Sequence, residues 1–343
     1  MRITGVDLAR GFALLGVFVA HTAPIGRSSP PTLRWLTIAD HATTPLFTVL
    51  LGVSAGLATR RVLETRGGMR IAVRRAFSIR GLLLVVLGLL AGLAGAMVIP
   101  IVHYLGAVTL LLVPALFLRT RLLVLLSGAC LVLSALAIGP ATTLRAALIR
   151  EAALADTWGL DLAQTLVGFF ATDYGYRVST LLVWALAGLA ISRVALTGRR
   201  RLLALGSAGV VLLCAAVATS TMTLGTLEPH SGSAPELLKG LGLACLAITV
   251  CCGLASTPVI RALTPVTALG SMTLTFYLAH IAALGLWTRL TGMSDDKWSI
   301  LLALSVGSLL AAWLIRRRWR RGPMEWLIAL AASQRLGPRR ATA

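Results

Sequence analysis

Apolar residues run in membrane-length stretches from one end of the chain to the other, each closed by a short polar or basic interruption. The stretches fall at about residues 5–23, 35–58, 81–99, 101–118, 122–138, 178–196, 202–218, 237–254, 266–286 and 298–315. Continuous runs of roughly 18 or more apolar residues are the mark of transmembrane helices, and the ten-residue alternation of a β-barrel is not seen. The pattern predicts an all-α, polytopic integral membrane bundle of about ten transmembrane helices, with no composition shift that would divide residues 1–343 into domains. Pro24 closes the first stretch, and Pro100 marks a tight turn between the third and fourth. Three polar segments stand out: a basic loop at 59–80, a long loop at 139–177 whose middle could lie as an amphipathic helix on the bilayer, and a basic tail at 316–343.

Within the first stretch only Asp7, Arg10 and His21 break the apolar body. Eleven residues at about 100° each bring His21 to within roughly 20° of Arg10, and Asp7 sits one turn earlier on nearly the same line. One helix thus carries an acid, a guanidinium and an imidazole along a stripe about 20 Å long. Charges at membrane depth face a protein interior or a wet cavity, so the stripe is expected to point inward. Asp7 and Arg10, three residues apart, are expected to pair.

Composition strengthens the membrane reading: 57% of residues are hydrophobic and 13% charged, and the mean hydropathy is +0.87. The net charge of +20 would suit nucleic acid, but the basic residues sit in short loops between apolar spans. There they obey the positive-inside rule. With ten spans, three quarters of the 32 Lys and Arg residues fall on the side of the termini and the acids lean to the other, which puts both termini in the cytoplasm. The five cysteines lie inside apolar runs with no metal-ligand spacing and read as small packing residues. The first stretch lacks a signal-peptide cleavage pattern and reads as a retained helix.

This topology sets His21, His41, His103, His230 and His280 on the outer side. Asp40, inside the second stretch, needs a partner at that depth. His21 facing Asp40 across the first two helices would make a general base with its orienting acid, and His41 stands beside it as a second imidazole. The run Arg60, Arg61, Arg66, Arg70, Arg74, Arg75 and Arg80 reads first as topology and lipid-headgroup attraction. Arginine forks also suit polyanions, so Arg74 and Arg75 are candidate donor-binding residues together with Arg10. Asp173-Tyr-Gly-Tyr-Arg177 combines charge and aromatic rings, and Asp173, Arg177, His103 and His280 are the candidates on the acceptor side.

The opening Arg2-Ile-Thr-Gly-Val-Asp7-Leu-Ala-Arg10-Gly-Phe-Ala-Leu-Leu-Gly resembles the start of the transmembrane acyltransferase superfamily. That group includes the heparan-α-glucosaminide N-acetyltransferases, the bacterial O-acyltransferases that modify surface polysaccharides, and the YeiB-like membrane proteins. The Arg10-x10-His21 spacing is similar to the arginine–histidine signature of the bacterial enzymes. Trp35-Leu-Thr-Ile-Ala-Asp40 with Pro45-Leu-Phe-Thr resembles the second helix of the heparan type. Ile101-Val-His103-Tyr-Leu-Gly, Leu269-Gly-Ser-Met-Thr-Leu-Thr-Phe-Tyr-Leu-Ala-His280 and Gly322-Pro-Met-Glu-Trp326 look most like the YeiB-like branch. The histidine that heparan-type enzymes carry ten residues before the helix-two acid is Pro30 here, which leaves His21 or His41 to supply the imidazole.

The resemblance implies transfer of an acyl group, foremost acetyl, from cytoplasmic acyl-CoA to a carbohydrate-type acceptor at the outer face. His21 would be the base or transient acyl carrier, Arg10 a donor-binding or helix-holding residue, and Asp40 the matching acid. No metal and no bound cofactor beyond the acyl-CoA co-substrate is expected. The expected partners are the bilayer, the donor, a glycan or glycolipid acceptor and, as one option, a second copy in a homodimer, all at a bacterial cytoplasmic membrane. A proton-coupled transporter or exporter would use the same buried Asp, Arg and His residues. No internal repeat of the kind many such transporters carry is visible in the two halves.

Overall fold

The computed structural model describes residues 3–25, 29–63, 67–155, 158–194, 196–222, 224–319 and 321–333. Arg2, Arg66 and tail residues 320 and 334–343, named above, lie outside them. Fourteen α-helices follow in order among the described residues, with no strand: α1 Thr4–Thr22, α2 Pro31–Arg34, α3 Ile38–Thr59, α4 Gly68–Gly92, α5 Val102–Leu112, α6 Thr120–Ala155, α7 Trp158–Val167, α8 Val178–Ile191, α9 Arg199–Thr221, α10 Ala234–Leu254, α11 Thr264–Gly270, α12 Thr273–Thr291, α13 Trp298–Arg318 and α14 Pro323–Ser333. Among the described residues seven helical segments are long and apolar enough to cross a membrane, and α11 with α12, bent by 83° at Ser271-Met272, makes an eighth if the pair is one span. Each of the ten apolar stretches overlaps a helix, but the third outruns α4, which ends at Gly92, and the ninth is divided between α11 and α12. The fourth and sixth, α5 and α8, have only 11 and 14 residues. The protein is a multi-pass helical membrane protein.

Helix α1 lies at the centre, packed by α3, α10 and α11. Its residues Leu8, Ala9, Leu14 and Phe18 are fully buried, whereas α9 and α13 turn apolar side chains outward as lipid-facing helices do. Close approach between helices depends on small residues, the usual device where lipid supplies no hydrophobic drive between helices. A Cβ at Gly270 would run into the Asp7 carbonyl, and one at Gly11 into the carbonyl of Val266. The charged end of α1 is therefore pinned against the break between α11 and α12.

Three predicted loops are helical instead. Residues 68–80 of the basic segment form the first half of α4. The charge run hid this because its arginines replace the apolar periodicity that marks a helix. Residues 139–155 continue α6 through Pro140, where the hydroxyls of Thr142 and Thr143 donate back to the carbonyls of Ile138 and Gly139 one turn earlier. At 36 residues α6 is about 54 Å long, well beyond a 30 Å hydrocarbon core. Helix α7 occupies the middle of the predicted 139–177 loop, with none of its residues buried.

The third is the tail. Helix α13 runs to Arg318, and α14 folds back under the bundle. Glu325 accepts hydrogen bonds from the backbone N–H groups of Leu274 (2.7 Å) and Thr275 (3.2 Å) and from the Thr275 hydroxyl (2.6 Å). It thereby satisfies donors in the first turn of α12 that no helical carbonyl can reach.

Candidate active site

Two cavities lie along α1. The larger, about 620 Å³, surrounds its first half, at what we term the near end of the bundle. The smaller, about 190 Å³, adjoins Val17, Ala20 and His21 at the far end. Helix α3 carries a stripe at three- and four-residue spacing past both: Asp40, Thr44 and Phe47 toward the far cavity, Phe47, Leu51 and Ser54 toward the near one.

The near cavity is apolar over most of its wall but holds Asp7, Arg10, Arg80, Arg321 and Glu325. Asp7 is buried, and its Oδ1 takes a 3.0 Å ion pair from Arg10 Nη1. The other guanidinium nitrogen, Nη2, donates to the Ser54 hydroxyl, which in turn donates to the Leu50 carbonyl. Asp7 and Arg10 thus pair as the spacing predicts. Arg80 is exposed and lines the cavity, within reach of the like charge on Arg10 and the opposite charge on Glu325.

In the far cavity His21, Asp40, Thr43, Tyr176 and His230 converge. His21 makes no hydrogen bond to Asp40. Its Nδ1 instead lies 3.2 Å from Nε2 of His280 on α12. His280 is buried behind His21, off the cavity, between the rings of Phe18 (5.2 Å) and Tyr277 (4.8 Å). Across the cavity from His21, Tyr176 lines the wall with Thr44, and burial pushes its phenol up to about 12. His230 stacks edge-on against that ring at 5.5 Å. Its backbone adopts the left-handed conformation (φ 59°). Buried Glu236 holds the turn by accepting from the N–H groups of His230 (2.8 Å) and Gly232 (2.5 Å). Burial, and after it the Arg177 charge, lowers the His230 imidazole pKa, which the Gly175 carbonyl partly offsets.

Phe47, Ile101 and Tyr277 line both cavities and form the wall between them. The Tyr277 hydroxyl accepts from the Ile101 N–H at 3.1 Å, fixing the phenol across the gap.

Several residues singled out from the sequence stand elsewhere. Arg74 and Arg75 are exposed, and Arg74 stacks over Phe117 at 5.6 Å. They lie about 120–140° around α4 from Arg80, on a face the cavity does not meet. His41 is bonded to Lys239 outside the far cavity. His103 packs against Tyr104 and Phe169. Asp173 pairs with Arg145 at 3.0 Å and accepts from the Tyr104 hydroxyl, a tie between α6, α5 and the start of α8. Arg177 is buried beneath the 230–232 turn.

The cavities add Arg80, Arg321, Glu325, Tyr176, Tyr277 and His230, none singled out in advance as a site residue. Two signals were there. Arg80 shares a helical face with Ala76, Phe77 and Leu84, and Glu325 is the lone acid in an otherwise basic tail.

A protein-family model described as an acyltransferase domain matches residues 3–317, from the first residue of the near cavity to the last turn of α13. No curated protein matches the sequence. With the match spanning nearly the whole chain, the protein belongs to the family of membrane O-acyltransferases.

Proposed function

We propose that the protein moves an acyl group, foremost acetyl, from acyl-CoA bound in the near cavity to a carbohydrate-type acceptor entering the far one. The observation that carries this reading is the shared wall. A chamber with three guanidiniums and apolar sides abuts a chamber holding His21, with only Phe47, Ile101 and Tyr277 between them. Its volume of about 620 Å³ falls in the range of small-molecule sites. Arg10, Arg80 and Arg321 suit the phosphates of the donor, and the apolar wall suits its pantetheine arm.

In the reaction, His21 takes the proton of an acceptor hydroxyl as that oxygen attacks the thioester carbonyl. The carbon–sulfur bond then breaks, the proton passes to the departing thiolate, and an ester and free CoA thiol result. The charge bias of the loops supports a cytoplasmic near end, where acyl-CoA is found, and a bacterial cytoplasmic membrane as the location.

The test follows free-thiol release from acetyl-CoA by protein in nanodiscs, with glycan acceptors supplied, for the wild type and His21→Ala. Loss of a general base lowers turnover by about 10²–10⁴-fold. Thiol release that is equal in the two proteins would overturn the assignment of the base.

A further inference from the structure

We infer that His280 is a positioning residue that holds His21 in the tautomer with the proton on Nδ1, so that the bare Nε2 is the atom offered to substrate. The inference rests on His21 being the base of the proposed reaction. A neutral imidazole has one donor and one acceptor nitrogen, so two neutral imidazoles meeting nitrogen to nitrogen must assign one proton between them. Here the two nitrogens are His21 Nδ1 and His280 Nε2, 3.2 Å apart.

The backbone decides which of the two donates. With His280 Nε2 against His21, Nδ1 is the nitrogen left to its own helix, and it is buried with no hydrogen-bond partner. A helical side chain leans back over the preceding turn, whose backbone acceptors here are the carbonyls of residues such as Phe276 and Tyr277. Carbonyls only accept, so the proton of His280 belongs on Nδ1. Its Nε2 is then a lone pair, and the His21 Nδ1–H must donate to it. The ring cannot swing away from this arrangement, because Phe18 and Tyr277 pack against it and the side chain is 1% exposed.

A neutral imidazole in this place differs from a carboxylate in one chemical respect. A carboxylate orients its histidine and also stabilises the imidazolium once it forms. His280 orients without a negative charge, so the proton taken up by His21 is held less firmly and is more readily passed to the thiolate.

The test uses full-length protein in nanodiscs with ¹⁵N-labelled histidines, read by NMR at pH 7.5, beside kinetics of His280→Gln and His280→Phe. Gln keeps an oxygen acceptor, and Phe keeps the ring shape without one. The expected spectrum has both His21 and His280 protonated on Nδ1 in the wild type. His21 should keep that tautomer in His280→Gln and move largely to Nε2–H in His280→Phe. Turnover should fall at least tenfold in His280→Phe with the KM for acetyl-CoA unchanged, and by much less in His280→Gln. A wild-type His280 protonated on Nε2, or a His21 tautomer indifferent to His280→Phe, would overturn the inference even if neither variant were active. Correct tautomers in a protein whose thiol release does not depend on His21 would instead overturn the proposed function and leave the pair intact.

Discussion

Arg10 bridges two helices: its Nη1 is paired with Asp7 at 3.0 Å on its own helix, and its Nη2 is bonded to Ser54 on α3. The guanidinium therefore holds the first turns of α1 against α3 while facing the near cavity. Arg10→Gln should take the guanidinium away from the buried Asp7 carboxylate and cost about 1.5–3 kcal/mol of stability. Adding Asp7→Asn should restore the thermal midpoint without restoring acetyl-CoA binding. Recovery of both in the double variant would reduce Arg10 to a packing element.

Arg80 and the Arg74/Arg75 pair lie on different faces of α4, and donor binding should follow the face. Arg80→Gln is expected to weaken acetyl-CoA binding roughly 10- to 100-fold, the worth of one charge-assisted hydrogen bond. Neutralising Arg74 and Arg75 together should change it less than threefold. Calorimetry on nanodisc-embedded protein distinguishes the two, and a larger effect from the exposed pair would contradict the cavity assignment.

His230 has its pKa lowered below the usual 6.5 by burial and by Arg177. The unfolded chain therefore binds more protons at this site than the fold does once the pH drops to about 6.5 and below. Stability must fall as the solution is acidified through that range. His230→Asn removes the titrating group with a residue that tolerates the left-handed backbone. The loss of melting temperature between pH 7.5 and 5.5 should be smaller in this variant than in the wild type.

Glu325 ties α14 to the start of α12 by three accepted hydrogen bonds. Glu325→Ala should cost about 1–3 kcal/mol locally, speed proteolytic cleavage between residues 319 and 333, and raise the KM for acetyl-CoA. Because α14 lies beyond residue 317, where the family match ends, a variant with unaltered KM would mean that this wall of the near cavity takes no part in donor binding.

Much of this was legible beforehand, and the rest was hidden for identifiable reasons. The Asp7–Arg10–His21 stripe is a matter of helical spacing, and an inward face for it follows from the cost of charge in lipid. The break at Pro24 is equally local. Helix α4 was shortened in the reading because arginines mask its first turns, and α6 because Pro140 normally ends a helix. The partner of His21 is a different matter. His280 is 259 residues away, and only the 83° turn between α11 and α12 brings it behind α1, whereas Asp40 lay on the neighbouring apolar stretch and was the nearer choice.

One unbroken helix carries both Arg10 and His21, and no kink or break separates the near cavity from the far one along α1. At 1.5 Å per residue the two side chains are rooted about 16 Å apart along its axis. That separation works as a ruler: the place where the donor is gripped and the place where its acyl group is consumed cannot approach each other, so the reach must come from the substrate. A donor whose flexible arm is shorter than the ruler would bind at Arg10 and still never present its thioester to His21.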